Sequence, residues 1–252
     1  VSRIRRVLAA SASSRPMSYF FTFFFMVWTF WRPQDWLLPW LYGWPILDVV
    51  VALAVFALIL ENDAGKVRIP TEMPQSWMVW GLFLATLISH VPHTYFQGIL
   101  NTFPEAFKPI FFTFVLFTVL DRPKRLRQMA WLFVIMASVM AVHCLLMEHR
   151  GYGFAGRQPF WQPPRIGEEE GYFRSYFFGI FEDPNDTAQM FAASIPFAFA
   201  LFRRRTIFSL LLGVGITWLM VVAVQTTHSR GGQVALLTVG GVLLSLILPR
   251  RW

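Results

Sequence analysis

Cysteine is almost absent from this chain. The one residue, Cys144, lies inside an apolar run, so no internal disulfide can form and no redox compartment can be read from it. Charge is scarce as well, at 14% of residues against roughly 25% in a soluble domain. The sequence also lacks a glycine-rich phosphate loop, metal-ligand spacing and a nucleophile elbow. His90 and His93 flank Pro92 with no third ligand near them in sequence, so no metal is expected. The stretches between apolar runs are too short to house a nucleotide-binding domain, and no cofactor is expected.

What is present is apolar and aromatic. Of 252 residues 56% are apolar, with 27 phenylalanines and 11 tryptophans. A bilayer span needs about 17–25 mostly apolar residues, fewer where aromatics and Gly or Pro flank it. Eight stretches qualify, at 17–31, 44–60, 77–91, 107–120, 128–147, 187–202, 206–225 and 233–248. The expectation is an all-α polytopic membrane protein, a single transmembrane domain over 1–252 with about eight transmembrane helices. Arg3, Arg5, Arg6 and Arg15 precede the first span. They are like the basic head of a signal peptide, but no small-residue cleavage site follows, so an uncleaved span is expected.

Basic residues orient the spans. With both ends of the chain cytoplasmic, the cytoplasmic side takes Arg3, Arg5, Arg6, Arg15, Lys66, Arg68, Arg122, Lys124, Arg125, Arg127, Arg203, Arg204, Arg205, Arg250 and Arg251, 15 of the 22 basic residues. The far side keeps Arg32, Lys108, Arg150, Arg157, Arg165, Arg174 and Arg230, together with the acidic triple Glu168, Glu169 and Glu170. The net charge of +8 therefore reads as topology, and nucleic acid is not expected as a partner. One larger external loop, 149–186, is long enough to lie over the bundle as a lid or an interfacial helix. Its arginines line a path for an anionic substrate or pair with the acidic triple. A second external segment, 32–43, with Trp36, Trp40 and the following Trp44, has the composition of an interfacial aromatic anchor.

Two polar corners carry the local signals. At 182–186, Asp183 suits an N-cap, Pro184 the first helical position and Asp186 the acidic position three residues on. Asn185 has no capping duty there and is the residue with a possible function. The second corner is the polar wedge 226–233, Thr-Thr-His-Ser-Arg-Gly-Gly-Gln. Ser229 can cap the last span, leaving Arg230, Gly231 and Gly232 in its first turn. Helix N-termini offer N–H groups and the positive end of a dipole, which suits phosphate or carboxylate, and Arg230 adds a bidentate donor. Two other readings stand beside this one. Arg230 can snorkel to headgroups, and Gly231 with Ala235 can pack a neighbouring helix. His228 adjoins the corner as a base or as a plain hydrogen-bonding group. His143 is expected to be packed within its span, and Asp48 is either intramembrane or interfacial.

At these corners the chain resembles the O-antigen ligase and O-antigen polymerase superfamily of bacterial envelope enzymes. The resemblance is carried by 179–188 (GIFEDPNDTA) and 227–236 (THSRGGQVAL), one hairpin of spans apart with a basic turn at Arg203, Arg204 and Arg205. The Arg32-Pro33-Gln34 turn is a weaker likeness. The resemblance implies a multi-pass protein of the bacterial inner membrane. It would transfer a glycan from an undecaprenyl-diphosphate donor to a lipid or protein acceptor on the periplasmic face, with neither nucleotide nor metal. It implies diphosphate contacts from Arg230, Ser229, Gly231, Gly232, Arg174 and Asn185. Family members continue into further spans and an external loop with a histidine base, so this chain is expected to be incomplete at its C-terminus and His228 is not promoted to that base. A small-anion transporter or a non-catalytic membrane partner are the other readings.

Overall fold

The computed structural model describes residues 17–64, 74–164, 170–202 and 206–247. It is mainly helical, with α1 Met17–Trp31, α2 Ile46–Asp63, α3 Pro74–Ile88, α4 Phe96–Val119, α5 Pro123–Arg150, α6 Pro184–Phe202, α7 Ile207–Thr226 and α8 Arg230–Ile247. Each of the eight apolar stretches overlaps one of these helices. Three of them, α4, α5 and α7, are long and apolar enough to cross a membrane. Their exposed faces are apolar too: Leu210, Leu211, Val214 and Trp218 of α7 and Val234 and Leu237 of α8 lie on the outside, as lipid-facing side chains do. These apolar helices mark a membrane protein.

The chain divides into two compact units, Val1–Phe25 with Pro45–Leu126, and Met26–Trp44 with Arg127–Trp252. In the first, Tyr19, Leu58, Val115 and Val119 form a buried cluster, extended by ring contacts of Phe83 with Phe103 and of Trp80 with Phe114. The start of α1 is completed by a carboxylate from α2. Met17 N–H donates to Glu61 Oε1 at 2.5 Å, and both the N–H and the hydroxyl of Ser18 donate to Glu61 Oε2. A helix N-terminus leaves four N–H groups without intrahelical partners, and a negative group there also opposes the dipole's positive end. At the other edge of this cluster Arg125 donates to Val119 O at 3.0 Å and pairs with Asp121 at 2.5 Å, its guanidinium lying 5.5 Å from the Tyr19 ring.

In the second unit α6 packs on α7 and α8, with Phe191, Met220, Ala223 and Val224 fully buried between them. Where helices compete with lipid, association rests on close packing and small residues. Gly213 of α7 faces Phe202 so closely that an added Cβ would sit 2.6 Å from Phe202 Cβ. The ring of Phe202 in turn meets Trp131 of α5 edge-on, with centroids 5.1 Å apart.

Three expectations change. The fourth helix starts at Phe96 and runs through Lys108 and Pro109, well ahead of the apolar stretch 107–120 expected to begin it. Two prolines within fourteen residues of that start hide a helix from a reading by apolar runs. The loop 149–186 shows no interfacial helix among its described residues. It holds an antiparallel ladder, β1 Phe160–Gln162 with β2 Tyr172–Arg174, paired Phe160 to Arg174 and Gln162 to Tyr172, as its aromatic strand-formers favour. Trp36 is not an exposed anchor. It donates to Trp31 O at 2.9 Å and stacks on Phe154 at 4.9 Å, while Trp40 and Trp44 are exposed. Asp48 lies exposed in the first turn of α2. The expectations placed on Arg3, Arg5, Arg6, Arg15, Lys66, Arg68, Arg165, Glu168, Glu169, Arg203, Arg204, Arg205, Arg250 and Arg251 lie outside the described residues.

Removing the Glu61 carboxylate leaves the start of α1 short of acceptors. Glu61→Ala is expected to destabilise the protein by about 1–3 kcal/mol, read as a lowered thermal midpoint in detergent. Glu61→Gln, which keeps one acceptor oxygen, is expected to fall between Ala and wild type.

Candidate functional site

Both polar corners are helix starts, and they lie against each other in the second unit. Asp183 caps α6, its Oδ1 accepting the Asn185 N–H at 2.6 Å and its carbonyl accepting from Thr187 N at 3.1 Å. Ser229 caps α8, its Oγ accepting the Gly232 N–H at 3.0 Å. Asn185, left without a capping duty by the sequence, joins the two. Its Oδ1 accepts from Ser229 Oγ at 2.9 Å and from Arg174 Nη2 at 3.0 Å.

Arg174 comes from β2. Alternation along the strand turns Tyr172 and Arg174 to the same side, toward the turn between α7 and α8. Arg174 Nε donates to Thr227 O at 2.9 Å, the neighbouring Ser175 N–H donates to Thr226 O at 3.0 Å, and the Tyr172 ring lies 5.2 Å from His228. The carbonyls of Thr226 and Thr227 lie at the C-terminal end of α7, where the helix dipole is negative. Arg174, 7% exposed, thus has its guanidinium held by one backbone oxygen at a helix C-terminus, Thr227 O, and by a neutral amide, Asn185. That makes it a positioning residue for the corner rather than an open contact for a ligand.

The glycines divide by role. An added Cβ at Gly232 would sit 2.5 Å from Ala188 Cβ, whereas at Gly231 it would meet nothing nearer than Ser229 Oγ at 3.9 Å. Close packing of α8 on α6 therefore depends on Gly232, and the expected packing role of Gly231 moves to its neighbour. Gly231 and Arg230 are exposed in the first turn of α8. His228 is exposed and adopts a left-handed backbone conformation, φ 48°, uncommon for a residue with a side chain. Just beyond, Gln233 Nε2 donates to Gln225 Oε1 at 3.3 Å. These two amides stand at one end of a groove of about 620 Å³ whose walls include Ile195, Val221, Leu236 and Leu243.

The remaining sequence candidates fall elsewhere. Arg157 pairs with Glu182 at 2.9 Å and lies on the rings of Tyr176 and Phe178, so it ties the loop to the start of α6 instead of lining a path. His143 is fully buried, its Nδ1 accepting from Phe154 N at 2.9 Å, which puts the proton of a neutral ring on Nε2. His90 contacts Thr102 at 3.0 Å, and among the described residues no group of three metal-ligating side chains occurs. Sequence reading missed the seat of Arg32. Gly179 has φ +66°, and a Cβ there would lie 1.9 Å from Arg32 Cδ, so a glycine is required where that side chain passes. The conjunction of Gly179 with the Arg32-Pro33 turn was the available signal.

The joint has a sharp test. Asn185→Leu strands two buried donors and is expected to cost about 1–3 kcal/mol for each. Asn185→Asp keeps both acceptances and adds a negative group at a helix start, and is expected to retain wild-type thermal stability. A double-mutant cycle of Asn185→Ala with Ser229→Ala should give a coupling energy of about 0.5–3 kcal/mol. No family model matches the chain, and neither does any curated protein or solved structure.

Proposed function

We propose that the paired starts of α6 and α8 form a diphosphate-binding corner. In this reading the chain is a multi-pass, O-antigen-ligase-like glycan transferase of the bacterial inner membrane. Its eight helices cross the bilayer with both chain ends cytoplasmic, and the corner opens on the periplasmic side. The observation that carries the reading is the Asn185 joint. It holds two positive helix ends together beneath an exposed Arg230, and such ends attract phosphate. Arg230 and the first turn at Gly231 bind the diphosphate, with Ser229, Gly232, Asn185 and Arg174 shaping the site.

The donor is undecaprenyl diphosphate carrying a glycan. Its isoprenoid chain suits the groove that runs from Gln225 and Gln233 along Leu236 and Leu243. In the transfer an acceptor hydroxyl, on a lipid or a protein, forms a bond to the anomeric carbon while the bond from that carbon to the diphosphate breaks. Negative charge then grows on the leaving diphosphate, where helix N-termini and a guanidinium stabilise it more than in the ground state. The base that takes the acceptor's proton is not assigned to His228.

A transporter of small anions is the other reading for an arginine at this place. Transporters of that kind break their helices near mid-membrane. Here α7 and α8 run unbroken and the polar turn lies between them, which favours chemistry at the surface. In cells carrying the full-length protein, Arg230→Ala is expected to abolish glycan transfer while expression and membrane insertion persist. Arg230→Lys, which keeps charge but loses the planar fork, should leave a small residual activity. Undiminished transfer by Arg230→Ala removes the proposal, and anion uptake into proteoliposomes would replace it with transport.

A further inference from the structure

A second pocket, of about 430 Å³, lies beside the corner and has a different chemistry. Its volume falls within the ~300–1,000 Å³ of small-molecule sites. The end of α5 supplies Glu148, the turn after it Gly151, the loop before β1 Gln158 and Pro159, β2 Phe173 and the turn before α8 His228. From this lining we infer that the pocket is a saccharide subsite, taking the sugar residue next to the diphosphate. The inference names the glycan position of the reaction proposed above, and rests on that reading for its place in the reaction; the binding chemistry stands on the pocket itself.

Three features select a neutral polyhydroxylated ring. Glu148 puts a carboxylate in the lining, which accepts from hydroxyl groups and repels phosphate. Gln158 and His228 each offer a donor and an acceptor, matching the mixed demands of vicinal hydroxyls. Phe173 is 55% exposed and Trp161, opposite it in the ladder, is 49% exposed. Their rings are 4.8 Å apart, an aromatic surface that can take the C–H face of a sugar at low entropic cost. Such a surface beside fixed polar groups has no evident packing use, because both rings already stand clear of the core. The left-handed His228 backbone completes the arrangement by presenting the imidazole to the pocket from the turn that positions Arg230.

The test uses the full chain in nanodiscs with free N-acetylglucosamine, galactose and glucose as probes, read by saturation-transfer NMR. Transfer to ring protons of at least one sugar is expected, and the fitted affinity should weaken about tenfold in Glu148→Gln and in Phe173→Ala, the change that loss of one good contact brings. Both side chains are exposed, so these variants should retain the wild-type thermal midpoint. Lipid-facing Trp218→Ala, away from both the subsite and the diphosphate corner, should bind as wild type does. No transfer to any of the three sugars overturns the inference. So does transfer unchanged in both pocket variants. Retained sugar binding with undiminished glycan transfer by Arg230→Ala would overturn the proposed function and leave the subsite standing.

Discussion

Everything at the candidate site depends on one amide oxygen. Asn185 Oδ1 takes two donors, Arg174 Nη2 and Ser229 Oγ, and those two groups belong to the strand and to the start of α8. Without that acceptor, donors on two buried residues, Arg174 and Ser229, would lose the partner that joins them. Because Ser229 simultaneously caps α8 through Gly232 N–H, the hydroxyl is used twice, once as donor and once as acceptor. This fixes its rotor and with it the angle between the two helix starts. A neutral amide suits the place better than it would suit a lone cation, since Arg174 finds its main counter-charge at the carboxyl end of α7. The corner thus sorts helix ends by sign. The negative end of α7 holds the buried guanidinium, and Arg230 stands exposed at the positive start of α8.

The same sorting explains why the arginines are not alike. Sequence places Arg157, Arg174 and Arg230 on one side, the loop arginines for a substrate path or acidic pairing and Arg230 for an anion or for headgroups. Burial and partners separate them. Arg174 is sequestered under the turn, Arg157 is spread over two rings and tied to Glu182, and Arg230 is exposed on a helix start. An arginine whose planar fork is already engaged in backbone and amide contacts is costly to redirect, because each donor withdrawn must find a substitute. Accessibility at a helix start, rather than a lack of partners, is what sets Arg230 apart.

Much of this was legible in the sequence, for physical reasons. Long apolar runs without proline can only be helices in an apolar medium, so α1 and α7 were bounded to within a residue. The caps Asp183 and Ser229 were legible because a short polar side chain before an apolar run has few other uses there. What could not be read was any contact whose partner lies far along the chain. Glu61 is an ordinary acid at the end of a helix until Met17 and Ser18 are seen beneath it. Gly231 and Gly232 are adjacent and identical, and only Ala188, 44 residues away, makes one of them obligatory. The strands of the loop 149–186 went unread for a different reason. They are three residues each, too short for an alternation pattern to register.

The two pockets beside the corner divide the chemistry of an amphipathic ligand, and their positions are not interchangeable. One is walled by aliphatic side chains and closed at one end by two neutral amides. The other is lined by a carboxylate, an amide, an imidazole and an aromatic face. The residues that contribute to them, Gln225, His228 and Gln233, flank Arg230 within nine positions of the chain. A molecule with an apolar tail, an anionic middle and a hydroxylated head would meet complementary groups in that order around a single turn. A small anion alone would use only the middle. The extent of shaped surface on either side of Arg230 is therefore the strongest physical reason to look for a large, segmented ligand at this turn rather than a simple ion.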